Sequence, residues 1–236
     1  MTTHRGPDLP YSVVAGVTPW RTRWIAASAK MHGSTFAPEQ PRIYESFLEV
    51  LSERPAFVVV VTNAPIGYRD SFEEQPRTCD EEARQLLGRR GSSLHNAPSR
   101  DVLSGEVKWN TAGLDAVTAT LLPRYREVAA EMSPYRQRIV YEGHPELSFY
   151  QLNKDTPLKR SKIVEEGRDE RRLVLEERLP GINKVLDADF EGVPLKHLYD
   201  ASALLWTARR ISGHAAKRIP KEAEWDSEGL RMEIVY

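Results

Sequence analysis

The sequence of 236 residues contains a single cysteine, Cys79. No intrachain disulfide can form, and a structural zinc held by clustered cysteines is excluded. No stretch approaches 18 apolar residues, so no membrane-spanning helix and no membrane contact are expected. The opening MTTHRGPDLPYS lacks the apolar core of a secretory leader, and a cytoplasmic location is the expectation that follows. A surplus of charge is missing too: 33 Lys and Arg face 34 Asp and Glu, for a formal net charge of −1. That balance excludes a uniformly basic protein coating nucleic acid, and leaves room for a local basic patch. No internal repeat is present, which argues against duplicated ATPase architectures of the actin-like kind. The sequence carries no signal of oligomeric state.

What is present is the material of a globular domain, with hydrophobic residues at 40% and charged residues at 28%. That mixture excludes collagen-like and wholly disordered chains. Residues 1–10 read as a loose terminus and residues 11–236 as one domain. Tyr11–Val17 and Thr22–Lys30 suggest an antiparallel hairpin, extended near Thr35–Phe36. Ala56–Thr62, AFVVVVT, is apolar without alternation, the pattern of a strand covered on both faces. Arg138–Tyr141 and Gly229–Tyr236 read as further strands. Apolar spacing predicts helices over Pro41–Leu51, Asp80–Leu87, Gly113–Met132, Pro145–Leu152, Ser161–Leu179 and Pro194–Ile211. Gly88–Arg100 reads as a Gly/Ser/Arg-rich loop. Strands mixed with helices give an α/β domain.

Several stretches carry a family resemblance. They are AGVTPWRTRWIAAS (15–28), VVTNAPIGY (60–68), RTCDEEARQLLGRRGSSLHNAPSR (77–100), YEGHPELSFYQL (141–152), KRSKIVEEGRDERRLVL (159–175) and HLYDASALLWTARR (197–210). In these segments, in order and through almost the whole chain, the sequence resembles the domain-of-unknown-function family 429, whose members are predicted RNase H-like nucleases. The resemblance implies an RNase H-like mixed sheet flanked by helices, with antiparallel first three strands and parallel fourth and fifth strands. It also implies carboxylates that hold two divalent ions, Mg or Mn, about 3.5–4 Å apart for attack on a phosphodiester of nucleic acid.

The chain departs from that pattern at the acids. The family's Gly-x-Asp at the end of the first strand is Gly16-Val17-Thr18 here, and its Asp-x-Pro-x-Gly after the fourth strand is Asn63-Ala64-Pro65-Ile66-Gly67. Glu142 and Asp200 remain at matching positions. Thr18, Asn63, Glu142 and Asp200 are therefore the implied metal positions, two of them neutral, and metal binding is expected to be weak or absent. The resemblance implies Glu142 and Asp200 as catalytic, and the adjoining polar cluster adds Glu146 and His144, the latter as a metal ligand, proton shuttle or phosphate contact. Each has a plainer reading: Asp200 as a solvated helix-border acid, Glu142 as an exposed strand end, His144 as a helix cap, and Glu146 as a complement to the helix dipole.

The loop Gly88–Arg100 suits an anion. Ser92 and Ser93 offer hydroxyls, and Arg89, Arg90 and Arg100 offer charge. The plainer reading pins those arginines to Asp80, Glu81 and Glu82. Lys162 opens a mixed-charge helix and could touch phosphate, although such helices usually present a solvated face. Trp20, Trp24, Tyr68 and Trp109 could stack on bases or fill a core, and Cys79 reads as structural. The expectation is a nucleic-acid-binding or weakly active member with a degenerate acidic site. The competing expectation is a non-catalytic module that binds a protein or a nucleotide in the same cleft.

Overall fold

The computed structural model describes residues 10–190 and 192–236. Apart from Pro10, the terminus read as loose lies outside the described residues. β1 (Ser12–Trp20) and β2 (Arg23–His32) form an antiparallel hairpin registered from Ser12↔Met31 to Trp20↔Arg23. The turn uses Arg21 at φ +53°. β3 (Thr35–Pro38) and β4 (Arg42–Tyr44) pair with β2 one after the other, so two short pieces share the edge position. β5 (Phe57–Thr62) runs parallel to β1, and β6 (Val140–Glu142) runs parallel to β5. The strand order is β3-β2-β1-β5-β6, with β4 also on β2. With the interrupted edge counted as one, three antiparallel strands are followed by two parallel ones. This is the RNase H-like sheet that the resemblance implied.

The period of two along a strand decides what each helix meets. Val14 of β1 joins Val59 and Val61 of β5 on one face, under α5 (Pro145–Leu152), α6 (Glu165–Arg178), α7 (Asn183–Leu186) and α8 (Leu195–Ser212). Val13, Ala15, Val17 and Val60 face the other way, toward α1 (Phe47–Leu51), α3 (Arg100–Ser104) and α4 (Ala116–Glu131). From Val59 to Thr62 the run AFVVVVT is thus covered on both sides, whereas Ala56 and Val58 at its start are exposed. Trp24 is fully buried against Phe47 and donates its indole N–H to Glu127 at 2.8 Å. Trp20 and Tyr68 are buried as well, so all three belong to the core and none is a stacking platform.

α8 anchors the first face. Every residue from Leu198 to Ala208 is buried, because the sheet lies on one side and α5, α6 and α7 lie on the other. Arg209 and Arg210 in its last turn complement the helix dipole. Gly16 lets α8 approach β1 this closely. A Cβ at that position would overlap the backbone nitrogen of Leu205 and the carbonyl oxygen of Ala201.

The structure corrects two readings. Pro41–Leu51 is not one helix: Arg42–Tyr44 is a strand, and the helix starts only at Phe47, where the Ser46 hydroxyl accepts from the Glu49 N–H. The loop Gly88–Arg100 begins as a 3-10 helix over Gly88–Ser93 and ends where α3 begins. The closing strand expected over Gly229–Tyr236 is present as β8 (Arg231–Val235) and lies outside the main sheet. It pairs in a separate ribbon with β7 (Arg218–Trp225), a strand that was not expected. α2 (Thr78–Leu87) packs on this ribbon through Cys79, Ala83 and Leu87 against Ile219, Ile234 and Tyr236. Cys79 is a buried free thiol in that contact.

Gly16→Ala is expected to destabilise the fold by at least about 3 kcal/mol in urea denaturation, because the atoms it meets are backbone and cannot repack. Gly213→Ala, where the added Cβ meets only ordinary contacts with Arg209 and Arg210, is expected to leave stability near wild type.

Candidate functional site

The parallel strands β1, β5 and β6 end together, and a cavity of about 470 Å3 opens at their carboxyl ends. That end of an α/β sheet is where ligands usually bind. Thr18 near the end of β1 and Asn63 just after β5 both line the cavity. Glu142 ends β6, and Asp200 enters from α8 one residue before the Ala201 contact with Gly16. All four implied metal positions therefore line this one cavity. Glu142 and Asp200 are both buried, which overturns the exposed strand end and the solvated helix border.

Neither acid is free. Glu142 accepts from Arg77 Nη1 at 2.9 Å, from Arg77 Nη2 at 2.7 Å and from the Ile66 N–H at 2.6 Å. Asp80 takes Arg77 Nε at 3.1 Å and Nη2 at 2.7 Å. The carbonyl of Gly67 accepts from Arg77 Nη1 at 3.0 Å, which occupies the last of the guanidinium's five N–H groups. Asp200 Oδ2 accepts from Lys162 Nζ at 2.6 Å. Glu146 binds Arg171 at 2.6 Å and Arg90 at 3.2 Å. Burial pushes the Glu142 carboxyl up, with Asp80 adding to the rise and Arg77 opposing it. Glu146 is held low: burial raises its pKa, but Arg171 and Arg90 together outweigh it.

The charges around the cavity cancel. Arg77, Arg90, Lys162 and Lys196 supply four positive charges. Asp80, Glu142, Glu146 and Asp200 supply four negative ones. Two divalent ions would add four uncompensated positive charges. Among the described residues, no group of three or more His, Cys, Asp or Glu side chains is placed to hold a metal ion. The donor set does not fit the two-ion centre that the resemblance implied.

His144 caps α5, its ring nitrogen accepting from the Glu146 N–H at 3.3 Å. Its pKa is lowered to about 4, chiefly by burial and further by Lys162, against the pull of Glu146 and Asp200. His197, on the cavity wall, is also lowered to about 4 by burial. Both rings are neutral at pH 7.

The anion loop divides. Arg90 and Ser93 line the cavity, whereas Arg89 and Ser92 are exposed and lie outside its lining. Arg100 leaves the site altogether: it binds Asp226 and Glu228 at the tip of the β7–β8 ribbon. None of the three arginines pairs with Asp80, Glu81 or Glu82, because Asp80 is taken by Arg77. Arg77 and Arg171 were missed in the sequence. Arg77 stands three residues before Asp80, an ion-pair spacing on a helix that was available as a signal. Arg171 sits in a mixed-charge helix and is nevertheless fully buried, over the Phe149 ring.

Strand order and cleft position define an RNase H-like domain. The family model described as "Protein of unknown function (DUF429)" matches residues 16–225, and the chain belongs to this family. No curated protein matches the chain. The solved structure of Thermus thermophilus RuvC aligns at 16% identity over 87% of this chain and 98% of that one, with a TM-score of 0.35.

Arg77→Met is expected to cost about 3–5 kcal/mol in urea denaturation, because Glu142 and Asp80 would be left buried without a partner. Arg77→Lys is expected to restore little, since an ammonium cannot fork to two carboxylates. The two histidines give a pH prediction. Unfolded, they titrate near 6.5; folded, near 4. Between those values the unfolded chain binds two more protons, so acid destabilises the fold. Glu142 works in the opposite sense with one proton between its ordinary value and about 7. The net expectation is a urea midpoint lower at pH 5 than at pH 6.5, with ring resonances of His144 and His197 that do not titrate above pH 5.

Proposed function

We propose that this protein is a nucleic-acid-binding member of its RNase H-like family that has lost two-metal cleavage. One observation carries the reading: each carboxylate at the strand ends is neutralised by a side chain of the protein itself. A nuclease of the two-ion kind needs those carboxylates unpaired. Thr18 and Asn63 offer only neutral oxygens, and the cations Arg77 and Lys162 already occupy the carboxylates that metal ions would need. Magnesium or manganese binding is accordingly weak or absent in this reading.

Binding is supported by the rest of the cleft. Arg90, Lys162 and Lys196 offer positive charge beside apolar wall residues Val117, Leu121 and Ile163. Ile163 is 77% exposed and Val117 is 55% exposed, an apolar mouth that suits the face of a base or sugar. His144 acts here by capping α5 and Glu146 by tying α6 to the cavity, so neither is placed in a cleavage role. A second reading, a nucleotide-binding module, is favoured by the cavity's size, which falls in the range of small-molecule pockets.

Fluorescence anisotropy with labelled single-stranded DNA and RNA, at several salt concentrations, tests the first reading. Binding that weakens steadily with salt is expected, together with no cleavage in magnesium or manganese. Metal-dependent cleavage that Glu142→Gln or Asp200→Asn abolishes would overturn it. Thermal stabilisation by mononucleotides, without strand binding, would favour the second reading.

A further inference from the structure

The misfit between the donor set and a two-ion centre has a definite form. Two protein cations occupy the two carboxylates that the resemblance implies for metal ions, and they differ in what they leave free. Arg77 is closed, with all five N–H groups spent on Glu142, Asp80 and backbone carbonyls. Lys162 is open. Its ammonium has three donors, of which the bond to Asp200 uses one, and its side chain keeps 29% of its exposure. Lys162 is also held in place from behind. Gly167 of α6 lies so close to Ser161 that a Cβ there would overlap the Ser161 carbonyl oxygen.

Arg90 adds a second open donor set on the same cavity. One nitrogen reaches Glu146 at 3.2 Å, and its Nε is buried without a hydrogen-bond partner. A buried donor without an acceptor costs free energy that a ligand oxygen recovers. In the same cavity, Asp200 Oδ1 and Asn63 Oδ1 are buried acceptors without partners. One belongs to a carboxylate already paired with Lys162 and the other to a neutral amide, so together they offer too little charge for a divalent ion. They suit hydroxyl or water donors.

We propose that Arg77 and Lys162 are built-in replacements for the two metal ions, and that Lys162 and Arg90 bind a phosphate group of the ligand without any divalent cation. Arg77 neutralises Glu142 permanently and structurally. Lys162 neutralises Asp200 and presents its remaining donors to the phosphate, with Arg90 alongside. This rests on the reading of the cleft as a nucleic-acid site and specifies how that site works.

The test uses the intact protein and a 5′-fluorescein-labelled single strand. Anisotropy is measured in EDTA and then in magnesium or manganese. Affinity is expected to be the same in all three. Lys162→Ala and Arg90→Ala are each expected to weaken binding about tenfold, and Lys162→Ala to reduce the salt slope by about 0.7, the value of one lost phosphate contact. Lys159→Ala, at an exposed position outside the cavity lining, is the control and is expected to bind as wild type. Strand binding that requires a divalent ion would overturn the inference and leave the nucleic-acid reading standing. Binding in EDTA that neither alanine variant weakens would do the same. No strand binding under any condition would overturn the nucleic-acid reading itself. Calorimetric titration with manganese alone tests the cation replacement apart from the strand. The wild type is expected to give no binding, whereas tight binding would overturn it. The triple variant Thr18→Asp, Asn63→Asp, Lys162→Ala is expected to bind manganese more tightly than the double variant that keeps Lys162. Equal affinities would show that Lys162 does not hold a cation's place.

Discussion

The close packing of α8 on β1 at Gly16 is the constraint on which the rest depends. Val14, Gly16 and Thr18 share one face of β1 by strand alternation. The middle one has no side chain, so the helix backbone settles against the strand backbone. That contact fixes the height and rotation of α8, and with them the position of Asp200 beside the end of β1. It also fixes where α5, α6 and α7 pack, since all three rest on α8. The cleft is therefore a by-product of this close backbone contact.

The chemistry of the cleft follows from what then sits in it. Burying a carboxylate is costly unless it is paired and hydrogen-bonded. A two-metal enzyme meets that cost with ions from solution, and this chain meets it with Arg77, Lys162, Arg171 and Arg90. Each pair joins segments far apart in sequence: Arg77 ties the start of α2 to the end of β6, and Arg171 ties α6 to the first turn of α5. The pairs thus neutralise the site and hold its walls together at once. Removing one partner is more damaging than replacing both, because a lone buried charge is the expensive species.

How much of this could be read from the sequence depended on range. The strand AFVVVVT announced its burial on both faces, because an unbroken apolar run suits only a central position. α8 was legible from Leu195, Leu198, Leu205 and Ala208, and the convergence of Thr18, Asn63, Glu142 and Asp200 from the family motifs. The strand Arg42–Tyr44 was misread as helix because Ile43, Phe47 and Leu51 also satisfy a helical spacing. β7 was invisible: RIPKEAEW alternates poorly, and only its partner β8 makes it a strand. The destinations of the arginines were invisible for a different reason. Arg77 finds Glu142 65 residues away, and Arg100 finds Asp226 126 residues away. Composition shows that a loop is basic, but only the fold decides which acid each guanidinium meets.

The two cations at the strand ends differ in permanence. A guanidinium keeps its charge at any pH a protein survives, and buried as Arg77 is, no reagent reaches it. A lysine amine that keeps contact with solvent can be acylated, and acylation erases its charge. The positive charge beside Glu142 is therefore a fixed property of the fold. The balance at Asp200 is conditional, and loss of the Lys162 charge would turn that wall of the cleft from neutral to anionic.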